Sequence, residues 1–527
     1  LVYVLFGNVT FGLASALLFA VHPVHTEAVA WISGRADVLV TLWSLVSLSC
    51  YVLSRRHRSY PLLAASLLAA SLFAFALALF SKETAMCLPL LILLLEFGPF
   101  GDLLVERRAG RRASTDGSSV NKPARSLVGP SLFMCVLASY LWSRWEAIGT
   151  ISTVHRAYAP GASGRMALPL SIFAGYVQRL LLPVKLSAEY DAPVPSSFAD
   201  PHVAAGIVLA ALFLWGLWRY RRRAEVVIGA SIFVLGLIPV LNIVPIGDVS
   251  AERLLYFPSV GAAMIAGGVF ATALEAAFGR LRRAGARVRP GLWIGAGRFP
   301  RQFAIVFGII LLTFAAKTID RNRDWKNETV LFAKTIEQEP KSPRAHAAAA
   351  EAAERSGDVP KAVREYQVAL DLKPDYYAAL VGLGQIYAYE GRYDDAVELI
   401  ERAVTVTPGD SKMMSNLGFL YLHTNQLEKA ERWLVQAIHV NPNEHRAHFN
   451  LGLVGIRQGR FAFARTHFER AIEGGDEFNM ANFHLAMIEK ISGNTTLAAK
   501  YARTFLASYK NDDRYRREAE AIAGREQ

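Results

Sequence analysis

A succession of long apolar runs restricts this chain more than any other feature. They cover approximately 2–20, 36–53, 61–80, 86–99, 127–143, 203–219, 226–246, 256–278 and 303–317. Backbone N–H and C=O groups in hydrocarbon find no water, so such a run must satisfy them internally, as a helix. About 20 apolar residues rising 1.5 Å each cross roughly 30 Å of hydrocarbon. Nine crossings are therefore expected, the fourth and the last of them short. A further apolar stretch, 166–183, is interrupted by Arg179 and Pro183 and is expected to cross as a tenth span or to lie in the interface.

Short basic loops stay cytoplasmic. Arg55, Arg56 and Arg58 follow the second run; Arg107, Arg108, Arg111, Arg112, Lys122 and Arg125 follow the fourth. Arg219, Arg221, Arg222 and Arg223 follow the sixth, and Arg280, Arg282, Arg283, Arg287, Arg289, Arg298 and Arg301 follow the eighth. Every second loop is basic, which places Leu1 in the cytoplasm and everything beyond Ala316 outside it. The formal charge of +12 is thus a matter of membrane topology and not of nucleic-acid binding. The three cysteines, Cys50, Cys87 and Cys135, lie in or beside apolar runs and suggest neither a disulfide framework nor a zinc site. Leu1 opens directly into an apolar run without the charged flank and cleavage site of a signal peptide, so the chain is expected to continue a longer protein.

From about residue 340 the pattern changes to a period of 34. Pro340, Pro374, Pro408 and Pro442 keep that step, as do Ala362, Ala396, Ala430, Ala464 and Ala498. Leu383, Leu417, Leu451 and Leu485 follow it too, with Gly384, Gly418, Gly452 and Ala486 one residue on. Gly357, Gly391, Gly459 and Gly493 mark the turn, where Asn425 substitutes once. Small residues at these offsets let paired helices approach, and the proline ends the second helix; a 34-residue period of this kind is the tetratricopeptide signature. Five repeats are expected over 343–513, after a lead-in helix at 326–338 within a linker of 320–342 and before a tail of 514–527. Such arrays stack into a solenoid whose concave face takes extended chains. Asn416, Asn450 and His484 share one register position on the first helix of their repeats and could line that groove, or be solvated polar positions.

The loops expected outside the membrane are rich in ionisable residues. The first carries His22, His25, Glu27, Arg35 and Asp37, the second Lys82 and Glu83, and a later one Asp248, Glu252 and Arg253. Ionisable groups at a bilayer face mark a site or a substrate path because burying them unpaired is costly; the plainer reading is interface anchoring and structural ion pairing.

The ordered strings HPVHTEAVAWISGRADVL (22–39), FSKET (80–84) and AERLLYFPSVG (251–261), followed by 34-residue repeats, resemble the transmembrane and tetratricopeptide-repeat (TMTC) family of protein O-mannosyltransferases. The resemblance implies an all-α protein: a polytopic bundle of the GT-C type over 1–319, then a tetratricopeptide solenoid. It implies a polyprenyl- or dolichyl-phosphate mannose donor, a serine or threonine acceptor, and transfer on the luminal or extracytoplasmic side. By the same resemblance His22, His25, Glu27, Arg35 and Asp37 are the catalytic candidates, and Lys82, Glu83, Glu252 and Arg253 those for the donor phosphate. The groove would hold a protein acceptor or a chaperone, and a divalent metal requirement stays open. The family's acidic loop between its first two spans would precede Leu1, so this chain is expected to lack that loop and to transfer no sugar alone. The membrane would be that of the endoplasmic reticulum in a eukaryote and the plasma membrane in a bacterium.

Two other classes compete. A membrane-anchored scaffold needs one span and not nine. A transporter would place charges in the middle of spans or break helices in pairs, and neither pattern is clear.

Overall fold

The computed structural model describes residues 1–99, 126–148, 162–188, 190, 195, 197–243, 250–283, 298–511 and 513–524. The basic residues at 107–125 and 287–289, and Asp248, lie outside them, as do the side chains at 280–283, 298 and 301. The described residues are helical, without strands, and form two compact units, Leu1–Glu339 and Pro340–Gln527.

The first unit runs α1 Val2–Phe6, α2 Val9–Val21, α3 Thr26–Ala30, α4 Arg35–Arg56, α5 Pro61–Ser81, α6 Leu88–Phe97, α7 Val128–Ile148 and α8 Ala162–Leu181. It continues with α9 Pro201–Arg219, α10 Ala224–Leu237, α11 Tyr256–Arg283, α12 Arg298–Asp324 and α13 Glu328–Gln338. Each expected apolar run holds a helix among the described residues, but not every one of these helices is of crossing length. Among the described residues five helical stretches are long and apolar enough to cross a membrane, or six if the bent pair Val9–Val21 and Pro23–Ala30 is one span. Local chemistry explains the differences. The first run breaks where Gly7 takes φ 66° to end α1 and Asn8 caps α2 by accepting from the Phe11 N–H at 3.0 Å. The fourth shrinks to the 10 residues of α6, preceded by a 3-10 turn at Glu83–Cys87 and ended at Gly98. These helices fit a membrane protein.

Close backbone approach holds the middle of this unit together. A Cβ on Gly261 of α11 would lie 2.2 Å from the carbonyl oxygen of Gly229 on α10, and one on Gly267 would lie 2.3 Å from Ser15 Oγ on α2. The antiparallel order brings the end of α2, the start of α4, the end of α5, the start of α11 and the end of α12 to one end of the bundle. At the other end, Glu96 gathers Arg55, the Tyr51 hydroxyl at 2.9 Å and the Ser126 N–H at 2.8 Å.

The second unit pairs α14 Pro343–Arg355 with α15 Val359–Leu372, α16 Tyr377–Tyr389 with α17 Tyr393–Val406, and α18 Ser411–His423 with α19 Leu427–Val440. Then come α20 His445–Arg457 with α21 Phe461–Ile472, and α22 Asn479–Ile491 with α23 Thr495–Ser508, before α24 Arg514–Ala523 covers the last pair. Ala362, Ala396, Ala430 and Ala464 are wholly buried at the crossings and Ala498 is 2% exposed. Opposite them a Cβ on Gly418 would meet Leu434 at 2.4 Å, and one on Gly452 would meet Phe468 at 2.5 Å. The turns need a left-handed residue: Gly357, Gly391, Gly459 and Gly493 take φ of 72–83°, and Asn425 fills the same position at φ 59°. Each repeat proline falls two residues beyond the helix before it.

Candidate functional site at one end of the bundle

The end of the bundle where α2, α4, α5, α11 and α12 converge collects most of the ionisable residues singled out in the sequence. Pro23 opens a 3-10 turn after α2 that delivers Glu27 on the short helix α3, wholly buried. There Glu27 accepts from the Arg253 backbone N–H at 3.0 Å and pairs with the Arg253 guanidinium. Arg253 also lies over the Trp31 ring, 4.9 Å from its centroid. Asp37, in the first turn of α4, receives the Lys82 ammonium on both oxygens at 2.7 Å. Glu252, wholly buried, takes Arg321 of α12 on its two oxygens at 2.9 and 3.0 Å and the Tyr190 hydroxyl at 2.5 Å. Three carboxylates and three cations thus neutralise one another across segments far apart in sequence. That satisfies the demand that buried charge be paired.

The remaining candidates are placed differently. Glu83 is 47% exposed and pairs with Arg144 of α7 at 2.5 Å. Arg35 is exposed and makes no side-chain hydrogen bond or ion pair among the described residues. His22 accepts from the Val24 N–H at Nδ1, 3.2 Å, and donates from Nε2 to the Leu180 carbonyl at 3.0 Å, which fixes a neutral tautomer. His25 Nε2 meets Ser259 Oγ at 2.8 Å; Ser259 spends its own proton on the Tyr256 carbonyl, so His25 is the donor. Among the described residues no three His, Cys, Asp or Glu side chains are grouped to hold a metal ion.

The two histidines line a cavity of about 430 Å³ between α2, α11 and α12, together with Leu180 and Leu181. Apart from Ser259 beside His25, its other walls are aliphatic and aromatic: alanines of α11 face Phe303, Phe307, Ile310 and Phe314 of α12. The Phe270 and Phe307 rings stack across it at 3.9 Å. An apolar cavity with His22, His25 and Ser259 at one end suits a ligand that is mostly hydrocarbon with one polar end.

Sequence reading missed four participants. Arg321, Tyr190, Ser259 and Arg144 belong to the site only through contacts of |i−j| between 61 and 234. Arg321 carried the one legible signal, a cation four residues past Lys317 at the end of an apolar run. In the repeat unit, Asn416 is half-buried with Nδ2 3.9 Å from Met413 Sδ. Asn450 is 3% exposed with its Nδ2 unpartnered among the described residues. His484 stacks on Phe468 at 5.1 Å.

Apolar helices of crossing length followed by helix pairs in a 34-residue repeat define a multi-pass membrane protein that carries a tetratricopeptide array. Comparison with known proteins agrees. Residues 314–474 match the family described as the cilia and flagella-associated protein 70 C-terminal domain. The chain is similar to human protein O-mannosyl-transferase TMTC1, with 27% identity over 410 residues, 72% of this chain and 44% of that protein. It is likewise similar to Drosophila melanogaster protein O-mannosyl-transferase Tmtc3, 25% identical over 433 residues, 76% of this chain and 45% of that one. Human protein O-mannosyl-transferase TMTC4 is 28% identical over 367 residues, 63% of this chain and 45% of that one. The resemblance carried by the loop motifs is thus found across both halves of the sequence, and the chain spans a little under half the length of these relatives. Among solved structures, YrrB, a tetratricopeptide protein with an unusual peptide-binding site, covers 36% of this chain and 97% of its own at 20% identity and TM-score 0.32. PilF of Pseudomonas aeruginosa covers 48% and 96% at 18% identity and TM-score 0.33.

Proposed function

We propose that the chain forms the donor-binding part of a membrane glycosyltransferase. It moves mannose from a polyprenyl-phosphate carrier to serine or threonine hydroxyls on the luminal or extracytoplasmic side. The observation that carries this is the apolar cavity ending at His22 and His25, at the same end of the bundle as the ion-pair cluster. The first few isoprene units of such a carrier fit the cavity between α2, α11 and α12, and its sugar phosphate then faces the polar end. The names of the relatives supply the sugar and the acceptor class. Glu27, Asp37 and Glu83 are the carboxylates within the site's loops that could accept a proton from an attacking hydroxyl, a role that needs a positioned base. Lys82, Arg253 and Glu252 hold that arrangement rigid, and Arg35 is the exposed cation of the set. The repeat unit holds an extended acceptor segment or a chaperone, with the half-buried Asn416 amide as one donor to its backbone.

The alternative is an anchored interaction scaffold. Its support is specific: Lys82 and Arg253 are already taken by Asp37 and Glu27, which leaves a neutral cluster that looks built for rigidity. One genetic experiment decides between the two. The gene is deleted, then resupplied as the wild type, Glu27→Gln or Arg253→Ala, and O-mannose on cell-surface and secreted proteins is read by mass spectrometry. Deletion should remove mannose from a set of acceptors. The wild type should restore it, and the variants should restore it poorly, with roughly a 30- to 1000-fold loss in transfer rate for about 2–4 kcal/mol of lost transition-state stabilisation. Unchanged mannosylation on deletion would leave the scaffold reading.

A further inference from the structure

The cavity raises a question that the loop motifs do not answer: which cation meets the anionic end of a lipid lying in it. Arg253, Lys82, Arg321 and Arg144 each face a carboxylate. Arg179 donates to Ser250 Oγ at 2.7 Å and lies 3.6 Å over the Tyr190 ring. Lys317 differs. It sits on α12 one helical turn beyond Phe314, the last residue of that helix lining the cavity. Its ammonium makes a single hydrogen bond among the described residues, of 3.3 Å to the carbonyl of Pro183. Pro183 follows the lining residues Leu180 and Leu181, and His22 bonds the Leu180 carbonyl and packs against Phe314 at 4.7 Å. Thr318 fixes this part of α12 by donating to the Val21 carbonyl at 2.8 Å.

A lysine ammonium has three donors and no acceptor capacity. Lys317 spends one of them on a neutral carbonyl and leaves two for an anion, one helical turn past the Phe314 wall of a largely hydrocarbon-lined cavity. We propose that Lys317 is the residue that binds the phosphate of a long-chain isoprenoid phosphate whose tail occupies the cavity. This deepens the donor-binding reading and rests on it, but moves the phosphate contact from Lys82 and Arg253 to a residue outside the loop motifs. Lys82 and Arg253 then hold the loops, and Lys317 selects for an anionic lipid over a neutral one.

The full chain in lipid nanodiscs tests this with three probes: a polyprenyl phosphate, the matching neutral polyprenol and inorganic phosphate. The wild type should bind polyprenyl phosphate more tightly than polyprenol, and inorganic phosphate should not displace it. Lys317→Gln should weaken polyprenyl phosphate on the order of 10- to 100-fold, the usual worth of a charged hydrogen bond, and leave polyprenol unchanged. Lys317→Arg, which keeps the charge, should retain most of the affinity, and Arg323→Gln, at an exposed position of the same helix, should change nothing. Equal binding of polyprenyl phosphate by Lys317→Gln and the wild type overturns the assignment. Loss in Lys82→Gln instead moves the phosphate back to the loop cluster, overturning Lys317 while the donor-binding reading stands. Displacement by inorganic phosphate, with no dependence on the tail, makes this a free-anion site and also overturns it. Failure of the wild type to bind either lipid overturns the donor-binding reading itself.

Discussion

Where α18 crosses α19 in the repeat unit, the contact is made by Gly418 against Leu434 and by the wholly buried Ala430. Where α3, α11 and α12 meet in the membrane unit, the buried groups are Glu27 and Glu252, held by Arg253 and Arg321. The first kind of contact depends on the absence of side chain and is repeated every 34 residues. The second depends on charges that match once, between segments that no period relates. Solenoid helices can therefore tolerate no bulk at their crossings, whereas the bundle end can tolerate no unpaired charge at its wholly buried positions.

The largest effect should come from reversing these rules in the repeat unit. Ala430→Arg forces a long cation into a helix crossing, and overpacking plus an unpaired buried charge should cost on the order of 5 kcal/mol. Thermal unfolding of the 340–527 unit followed by circular dichroism should show collapse of the transition; an unchanged midpoint would mean that the crossing is elsewhere. Next comes the bundle end. Arg321→Met leaves Glu252 buried without its ion-pair partner and should cost about 3–5 kcal/mol, most of it recovered when Glu252→Leu is added. A double variant no better than the single would show that these charges do not act as a pair.

A smaller effect sharpens the comparison within the array. In the first repeat His346 bonds Glu365 at 2.7 Å and the Pro340 carbonyl at 3.1 Å. Three periods on, His448 bonds His467 at 3.0 Å, Nδ1 to Nδ1, and the Pro442 carbonyl at 3.2 Å. Since Nε2 of His448 donates to that carbonyl, its Nδ1 accepts, and His467 supplies the proton. Burial first and then the neighbouring His448 lower His467 to about 4 from its ordinary 6.5; burial also lowers His448. The unfolded chain therefore takes up protons before the folded one. Stability is fully present above about pH 6.5 and falls as the pH drops toward 4. His467→Gln should make the dependence of the melting temperature on pH shallower over that range, and an identical slope would remove the pair from the explanation. Smallest of all, Lys334→Gln removes an exposed ion pair with Glu337 and should leave the melting temperature of the full chain unchanged. A measurable drop would mean that α13 is held more tightly than its exposure implies.

The repeat unit was legible because its determinants are local and periodic: a proline, an alanine, a glycine that must adopt positive φ. The apolar runs announced helices, but not that Gly7 and Asn8 would split the first or that Gly98 would cut the fourth to ten residues, since hydropathy does not register a cap. The loop motifs named Glu27, Asp37, Lys82, Glu252 and Arg253 without showing that these neutralise one another, because ion pairing across |i−j| of 45 or 226 leaves no spacing to read. Arg321 and Lys317 stood outside the motifs, on a helix whose sequence reads only as an apolar run with a charged end.

Photo-crosslinking tests most directly whether the cavity takes a lipid-linked sugar. A polyprenyl-phosphate mannose with a diazirine in its tail is incubated with the chain in membranes, irradiated, and the adducts are mapped by mass spectrometry. Adducts concentrated on the walls of the cavity, at Phe303, Phe307 and Ile310 of α12 and the facing alanines of α11, and displaced by unlabelled carrier, are the expected result. Adducts spread over the lipid-facing surfaces of α5 and α9, with no displacement, would contradict it.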